Sequence, residues 1–125
     1  MKIHSALALL SMTSALAFST SAFALPGPVG EWLIADGSAI VNIRPCGDNL
    51  CGFVASRKDS ESSVGQQVFF DMKPEGGQWS GTIVNVKDGE HYAGHISLVS
   101  DTTLKVEGCV LGGIFCGGQQ WSRVK

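Results

Sequence analysis

Apolar and polar residues alternate along most of this chain beyond residue 25. The clearest segment is TTLKVEG, in which Leu104 and Val106 fall on one side of an extended backbone while Thr103, Lys105 and Glu107 fall on the other. A period of two is the spacing of a β-strand, because successive side chains point to opposite faces of a sheet. No window shows a helical period with caps, so the pattern predicts an all-β protein. The predicted strands lie in the segments GEWLIAD, SAIVNIRPC, CGFVAS, QQVFFDM, QWSGTIVNV, EHYAGHISLVS, TTLKVEGCV and IFCGGQQWSRVK.

The residues between these segments are mostly those of tight turns. Asp88-Gly89 is among the strongest hairpin signals, and only the polar stretch RKDSESSVG is long enough to predict a loop. Strands joined in this way form an antiparallel meander, which removes its unpaired edges by closing. We therefore predict an eight-stranded up-and-down barrel, with a flattened sandwich of two sheets as the alternative. The interior of such a barrel is filled by side chains or holds one small ligand.

The first residues have the pattern of a secretory signal peptide. Lys2 is followed by an Ala- and Leu-rich apolar run, and Ala22-Phe23-Ala24 fits the small-x-small rule for cleavage after Ala24. Serines and threonines interrupt the run, which argues against the alternative of a membrane anchor. We expect residues 1–24 to be a signal peptide, residues 25–125 to be a single domain, and the protein to be periplasmic or secreted.

Charge excludes two classes of partner. Only Lys2 leaves with the signal, so the remaining chain has eight basic and eleven acidic residues, a formal charge of −3. No basic run occurs, and the composition therefore gives no footprint for nucleic acid and no reason to expect binding to an anionic membrane. We also expect no membrane insertion, because no apolar run after the signal is long enough to span a bilayer.

Four cysteines in an exported chain are first interpreted as two disulfides. In CGDNLC, a turn at Asp48-Asn49 would place Cys46 opposite Cys51. In CVLGGIFC, a turn at Gly112-Gly113 would place Cys109 opposite Cys116. Cross-pairing between the two hairpins remains open, as do a zinc site and free or exchange-active thiols. The C-x4-C and C-x6-C spacings are wider than those of a usual zinc knuckle, and a redox C-x-x-C is absent.

A few residues are candidates for binding chemistry. His91 and His95 share one face of a predicted strand and are either solvated side chains or two ligands of a metal site. Arg44 falls on the same side of its predicted strand as Ile40 and Asn42. At a barrel mouth it could pair with a ligand carboxylate. The alternative role is a surface ion pair with an acidic residue. We take three residues as candidate ligand contacts: Arg44, Phe53 and Tyr92.

No catalytic motif accompanies these candidates. The sequence has no G-x-S-x-G, P-loop or dinucleotide fingerprint, and its turn aspartates have the chemistry of turns rather than of a paired acid and base. We therefore expect no enzyme activity, no cofactor and no resident metal.

Two resemblances add to this picture. Gly30-Glu31-Trp32 on the first strand, with Trp121 and Arg123 on the last, resembles the lipocalin and wider calycin barrels. That resemblance implies that Arg123 packs across the Trp32 ring to close one end of the barrel, and it suggests ligand binding. Over nearly all of residues 25–125 the chain is also similar to the bacterial domain-of-unknown-function family 2147. The matching segments are GEWLIADGSAIVNIRPCGDNLCGFV, WSGTIVNVKDGEHYAGHISL and LKVEGCVLGGIFCGGQQWSRV.

The second resemblance implies an exported small β-protein and brings no known activity. We therefore expect a barrel that binds a small apolar molecule, or alternatively a ligand-free structural or protein-interaction module of the cell envelope. A filled interior would favour the module, and an open cavity with a few polar groups would favour the binding protein.

Overall fold

A computed structural model describes residues 27–59, 62–86, 88–110 and 115–125. The predicted signal peptide and the Gly112-Gly113 turn lie outside these residues. The described residues contain no helix long and apolar enough to cross a membrane. They form eight strands: β1 (Gly30–Leu33), β2 (Ala39–Cys46), β3 (Asn49–Arg57), β4 (Gln67–Glu75), β5 (Gln78–Val84), β6 (His91–Ser100), β7 (Thr103–Val110) and β8 (Phe115–Arg123).

Each strand pairs antiparallel with its neighbours in the chain, and β8 pairs back with β1. Trp32 lies opposite Arg123 and Leu33 opposite Ser122 in this closing pair. The predicted eight-stranded up-and-down barrel is therefore confirmed, and the sandwich alternative is wrong. Closure gives every one of the eight described strands a partner on both sides, whereas a sandwich of these short strands would leave edges exposed.

The alternation seen in the sequence matches the burial of the strands. β2 buries Ala39, Val41 and Ile43 while Ile40 and Asn42 are only half-buried, and β7 buries Leu104 and Val106 in the same way. No polar or charged residue is buried among the described residues. Because the fully buried side chains of these residues are apolar, hydrophobic burial provides the main stabilisation of the barrel. The core cluster consists of Trp32, Val41, Ile43, Leu50, Val54, Val68, Phe69, Met72, Ile83, Ile96, Leu104, Val106 and Trp121.

The two ends of the barrel differ. The connections β2–β3, β4–β5 and β6–β7 lie at the end where the chain enters β1 and leaves β8, which we call the closed end. The connections β1–β2, β3–β4, β5–β6 and β7–β8 lie at the other end, which we call the open end. Successive connections of an up-and-down barrel must alternate in this way, because every strand reverses direction.

Trp32 and Arg123 close the first of these ends. The indole of Trp32 is fully buried, and the guanidinium carbon of Arg123 lies 4.4 Å from the ring centroid. Trp32 Nε1 donates a hydrogen bond to the Pro28 carbonyl at 2.9 Å. A cation over an indole face contributes about 0.5–2 kcal/mol. Gly30 is required beside this pair, because a β-carbon there would lie 2.6 Å from Arg123 Nη1 and the backbone has φ +142°.

Arg123 also holds backbone segments that are distant in the sequence. Its Nε donates to the Asp101 carbonyl at 2.6 Å, its Nη1 to the Val29 carbonyl at 2.9 Å, and its Nη2 to the Gly27 carbonyl at 2.8 Å. Hydrogen bonds from a charged donor contribute more than neutral ones. The guanidinium thus joins the segment before β1 and the β6–β7 turn to the end of β8.

A bulge in β4 depends on a glycine in the neighbouring strand. The β4–β5 register shifts between Phe70 and Lys73, and Asp71 has φ +49°. A β-carbon on Gly81 would lie 2.6 Å from the Phe70 carbonyl oxygen and 2.8 Å from that of Asp71. Because bulges bend a strand and bring backbone close to its partner, glycine at position 81 leaves room for the bulge.

Both disulfides are local, as predicted: Cys46 bonds Cys51 and Cys109 bonds Cys116. All four cysteines are therefore in disulfides, and none is a free thiol. This excludes the zinc and free-thiol alternatives in this state of the chain. Disulfides are typical of an oxidising, extracytoplasmic compartment, which is where this protein belongs.

The expected turn at Asp48-Asn49 is wrong by one residue. Cys46 lies opposite Asn49, so the hairpin turn is Gly47-Asp48, and Cys51 lies opposite Arg44. Gly47 has φ +69°, the conformation that a two-residue hairpin turn needs at its first position, and glycine adopts it without a steric penalty. The first disulfide is therefore diagonal, with Cα atoms 5.8 Å apart, whereas Cys109 and Cys116 lie directly opposite each other as predicted.

We expect the first disulfide to stabilise the barrel only modestly. Replacing Cys46 and Cys51 together by alanine should lower the free energy of unfolding by about 2 kcal/mol, because the closed loop is short. Urea denaturation followed by tryptophan fluorescence measures the loss, and the far-ultraviolet circular dichroism spectrum should not change. Loss of cooperative unfolding in this variant would show instead that the fold depends on this bond.

Candidate ligand-binding cavity

A cavity of about 610 Å³ lies inside the barrel and opens at the open end. Pockets that hold small ligands range over about 300–1,000 Å³ and are mostly apolar with a few polar groups. The cavity has this character, because most of its lining is aliphatic or aromatic and a few side chains are polar. Its lining residues are Ile34, Ala35, Asp36, Val68, Phe69, Ile83, Val84, Asn85, Val86, Tyr92, Val106, Gly108, Val110, Cys116, Gly117, Gln119 and Trp121.

Two stacked aromatic rings form one wall. Phe69 and Trp121 have ring centroids 5.4 Å apart and planes inclined by 15°. Trp121 Nε1 donates a hydrogen bond to Gln119 Oε1 at 2.8 Å, so the indole N–H is satisfied without a ligand. Trp121, which the calycin resemblance placed with the closure residues, is thus part of the cavity wall. A wall of fixed aromatic faces can pack against an apolar chain or ring.

Two glycines give the cavity its width. Gly108 and Gly117 lie opposite each other on β7 and β8, and both line the cavity. A β-carbon on Gly108 would lie 3.3 Å from Tyr92 Cβ, so the glycine leaves room for the tyrosine. A β-carbon on Gly117 would meet no atom of the described residues within 4 Å. No side chain in the described part of the chain therefore fills the space in front of Gly117.

Most polar groups of the lining lie at the mouth of the cavity, whereas Gln119 lies deeper, opposite Val106. Asp36 lies in the β1–β2 turn, where its Oδ1 accepts a hydrogen bond from the Ser38 N–H at 2.9 Å. Asn85 begins the β5–β6 turn, in which its N–H donates to the Glu90 carbonyl at 2.9 Å. With the Tyr92 phenol, these groups can hydrogen-bond the polar end of a molecule whose apolar part lies deeper.

Arg44 and Phe53, predicted as ligand contacts, lie on the outer surface and do not line this cavity. The Arg44 guanidinium carbon is 4.1 Å from the Phe53 ring centroid, and Nη1 donates to Asn42 Oδ1 at 3.2 Å. Together with Glu31, the three residues line a separate shallow depression. Of the three candidate ligand contacts, only Tyr92 lines the interior cavity, and the structure does not bring the three together.

The two candidate histidines are also on the outer surface. His91 is exposed, whereas His95 Nδ1 is 2.9 Å from Ser80 Oγ. Donor atoms of His95, Glu107 and Cys109 lie within 4.8 Å of one another. The Cys109 sulfur is bonded to Cys116, and it therefore cannot supply a thiolate. The two remaining donors are fewer than the three protein ligands of a catalytic zinc site, and the group does not form a metal centre in this state.

Several cavity residues were not singled out from the sequence. Asp36, Asn85 and Gln119 supply polar groups, and Gly117 supplies space, but the sequence shows none of these roles directly. The available signal was parity: Gly117 and Gln119 fall on the same side of β8 as Trp121. Parity indicates which side chains face inward, and it leaves open which of them meet packing partners and which meet open space.

Comparison with known proteins gives one match. A family model described as "Uncharacterized protein conserved in bacteria (DUF2147)" matches residues 30–123, the whole of the barrel from β1 to β8. No curated protein and no solved structure matches the chain.

Proposed function

Because the chain belongs to this uncharacterized bacterial family, we propose its function from the cavity: the barrel binds a small, largely apolar molecule and catalyses no reaction. The open interior of about 610 Å³ is the observation that supports this proposal. The alternative of a ligand-free envelope module would be favoured by an interior filled with side chains. Here the stacked Phe69 and Trp121 leave the space beside them open, and Gly117 extends it.

The chemistry of the lining supports an apolar ligand. Val68, Ile83 and Val106 present only hydrocarbon to the cavity, and a molecule that covers them removes apolar surface from water. Such burial is favourable by about 25 cal/mol per Å². A polar group that contacted only these side chains would lose its hydration without a partner, so the polar end of a ligand belongs beside the polar side chains of the lining.

We further propose that the protein is exported with removal of residues 1–24 and acts in the periplasm or outside the cell. The two disulfides and the signal-like first residues support this location. Intact-mass measurement of the native protein, without reduction, tests it. We expect a chain that begins at Leu25 and lacks four hydrogens. A mass that retains Met1 would contradict the proposed export.

Binding itself is tested with a matched pair of glycine variants. Gly117 faces the cavity, whereas Gly118 is outside it, and a β-carbon added to Gly118 would meet only the Val106 carbonyl oxygen, at 3.5 Å. An uncharged naphthylamine fluorophore should bind the wild type saturably. Gly117→Leu should weaken its binding about tenfold or more, corresponding to 1.4 kcal/mol, because the new side chain occupies the ligand's space.

Gly118→Leu is the control and should bind the fluorophore within about twofold of wild type, because its side chain points outward on the same strand. Circular dichroism should show that both variants are folded. The proposed function would be contradicted if the fluorophore did not bind the wild type, or if both variants weakened it equally.

A further inference from the structure

We infer that the ligand of this cavity carries no negative charge, an inference that rests on the proposed function and adds the chemical class of the ligand. The cavity would accept long-chain molecules with an uncharged or cationic head group and would discriminate against fatty-acid-like anions. Three observations support this: the charge of the open end, the residues that line the cavity, and the position of Arg44.

The open end is acidic. The described residues at this end include four acidic residues and two basic ones, a net of two negative charges, and one of the acids, Asp59, is paired with Arg57 at 3.4 Å. Negative charges around a cavity mouth with low-dielectric walls focus the electric field there and lower the local concentration of anions. The acidic residues are Asp36, Asp59, Asp88 and Glu90, and the basic residues are Arg57 and Lys58.

No basic side chain lines the cavity among the described residues, whereas Asp36 does line it. A carboxylate head group beside Asp36 would lose hydration and gain no cationic partner. Arg44, the residue that could have paired with a ligand carboxylate, stacks on Phe53 at the outer surface. The neutral groups of Tyr92 and Asn85, by contrast, can donate to and accept from a hydroxyl or an amide.

Three probes that share a dodecyl chain and differ in head group test this selectivity. Dodecanol, dodecylammonium and dodecanoate each displace the naphthylamine fluorophore from the wild type at pH 8 and low salt, below their aggregation concentrations. At this pH a carboxylate is ionised and an alkylamine is protonated. We expect dodecanoate to bind about tenfold or more weakly than dodecanol, with dodecylammonium at least as tight as dodecanol.

Salt separates an electrostatic cause from a steric one. The Debye length falls from about 10 Å at 0.1 M to about 3 Å at 1 M ionic strength. The difference in binding affinity between dodecanoate and dodecanol should therefore shrink at high salt. A difference that stayed the same at high salt would contradict the electrostatic explanation.

A pair of isosteric variants locates the effect. Asp36→Asn keeps the Oδ1 acceptor for the Ser38 N–H and removes the charge at the mouth. The ratio of the dodecanol affinity to the dodecanoate affinity should therefore fall about threefold. Asp48→Asn removes the same charge from the β2–β3 turn at the closed end and should leave the difference unchanged.

The possible failures are distinguishable. If dodecanoate binds as tightly as dodecanol at low salt, the inference is overturned and the proposed function stands. If both aspartate variants change the difference equally, the effect comes from net charge alone and the role assigned to the mouth is overturned. If the fluorophore does not bind the wild type at all, it is the proposed function that fails.

Discussion

Replacing Trp32 by alanine should lower the free energy of unfolding by about 4 kcal/mol, because large aromatic residues in cores lose both transfer energy and packing. Trp32 is fully buried at the closed end, and its ring carries the Arg123 guanidinium at 4.4 Å. The truncation also leaves the Pro28 carbonyl without its indole donor. Urea denaturation followed by circular dichroism measures the loss, since Trp32 is itself a fluorophore.

The matched control is Leu33→Ala, one residue further along β1. Leu33 is 37% exposed, and its truncation should cost less than about 1 kcal/mol. Trp32→Phe should fall between the two, because it keeps an aromatic face for Arg123 and loses the N–H donor. A cost below about 1.5 kcal/mol for Trp32→Ala would show that the closed end is held mainly by backbone pairing rather than by this ring.

Gly81→Ala should have the second large effect. It should lower the free energy of unfolding by about 3 kcal/mol, which is at the upper end of the usual cost of overpacking. The added β-carbon would lie 2.6 Å and 2.8 Å from two backbone carbonyl oxygens of the β4 bulge, those of Phe70 and Asp71. Backbone atoms in a paired strand cannot rotate away as a flexible side chain can. The bulge or the β4–β5 pairing must therefore shift to accept the methyl group.

Gly118→Ala is the control for this prediction. Gly118 also lies within a strand, but the nearest atom to its added β-carbon would be 3.5 Å away, an ordinary contact. This variant should be neutral or slightly stabilising, because alanine loses less backbone entropy on folding than glycine. Both are measured by urea denaturation. Equal stability of the two variants would contradict the requirement for glycine opposite the bulge.

The fold could be predicted from the sequence because an antiparallel meander is governed by local signals. The alternation of Leu104 and Val106 with polar neighbours, and turn pairs such as Asp88-Gly89, define strands and hairpins that pair with their neighbours in the chain. The error at Asp48-Asn49 came from ranking that pair above Gly47. Residues 47, 48 and 49 are all good turn formers, and the positive φ that the first turn position needs favours glycine over the other two.

The cavity was much less accessible to prediction. Parity placed Arg44 with Ile40 and Asn42, which is the outward side, and Phe53 lies opposite Asn42 on that same side. On this outer face the charged Arg44 side chain stacks on the aromatic ring of Phe53. The open space depends on what surrounds Gly117 in three dimensions, and a pattern of inward and outward positions carries no information about such gaps.

The hydrogen bonds of Arg123 set the order in which this barrel can be completed. They join residues 94 and 96 positions apart in the chain, nearly the full length of the domain. Contacts between such distant residues form late, because the loop-closure entropy must be overcome first. A nascent chain in which β8 has not yet been synthesised can form hairpins but cannot close the ring. The folding rate should therefore be limited by the meeting of β1 with β8.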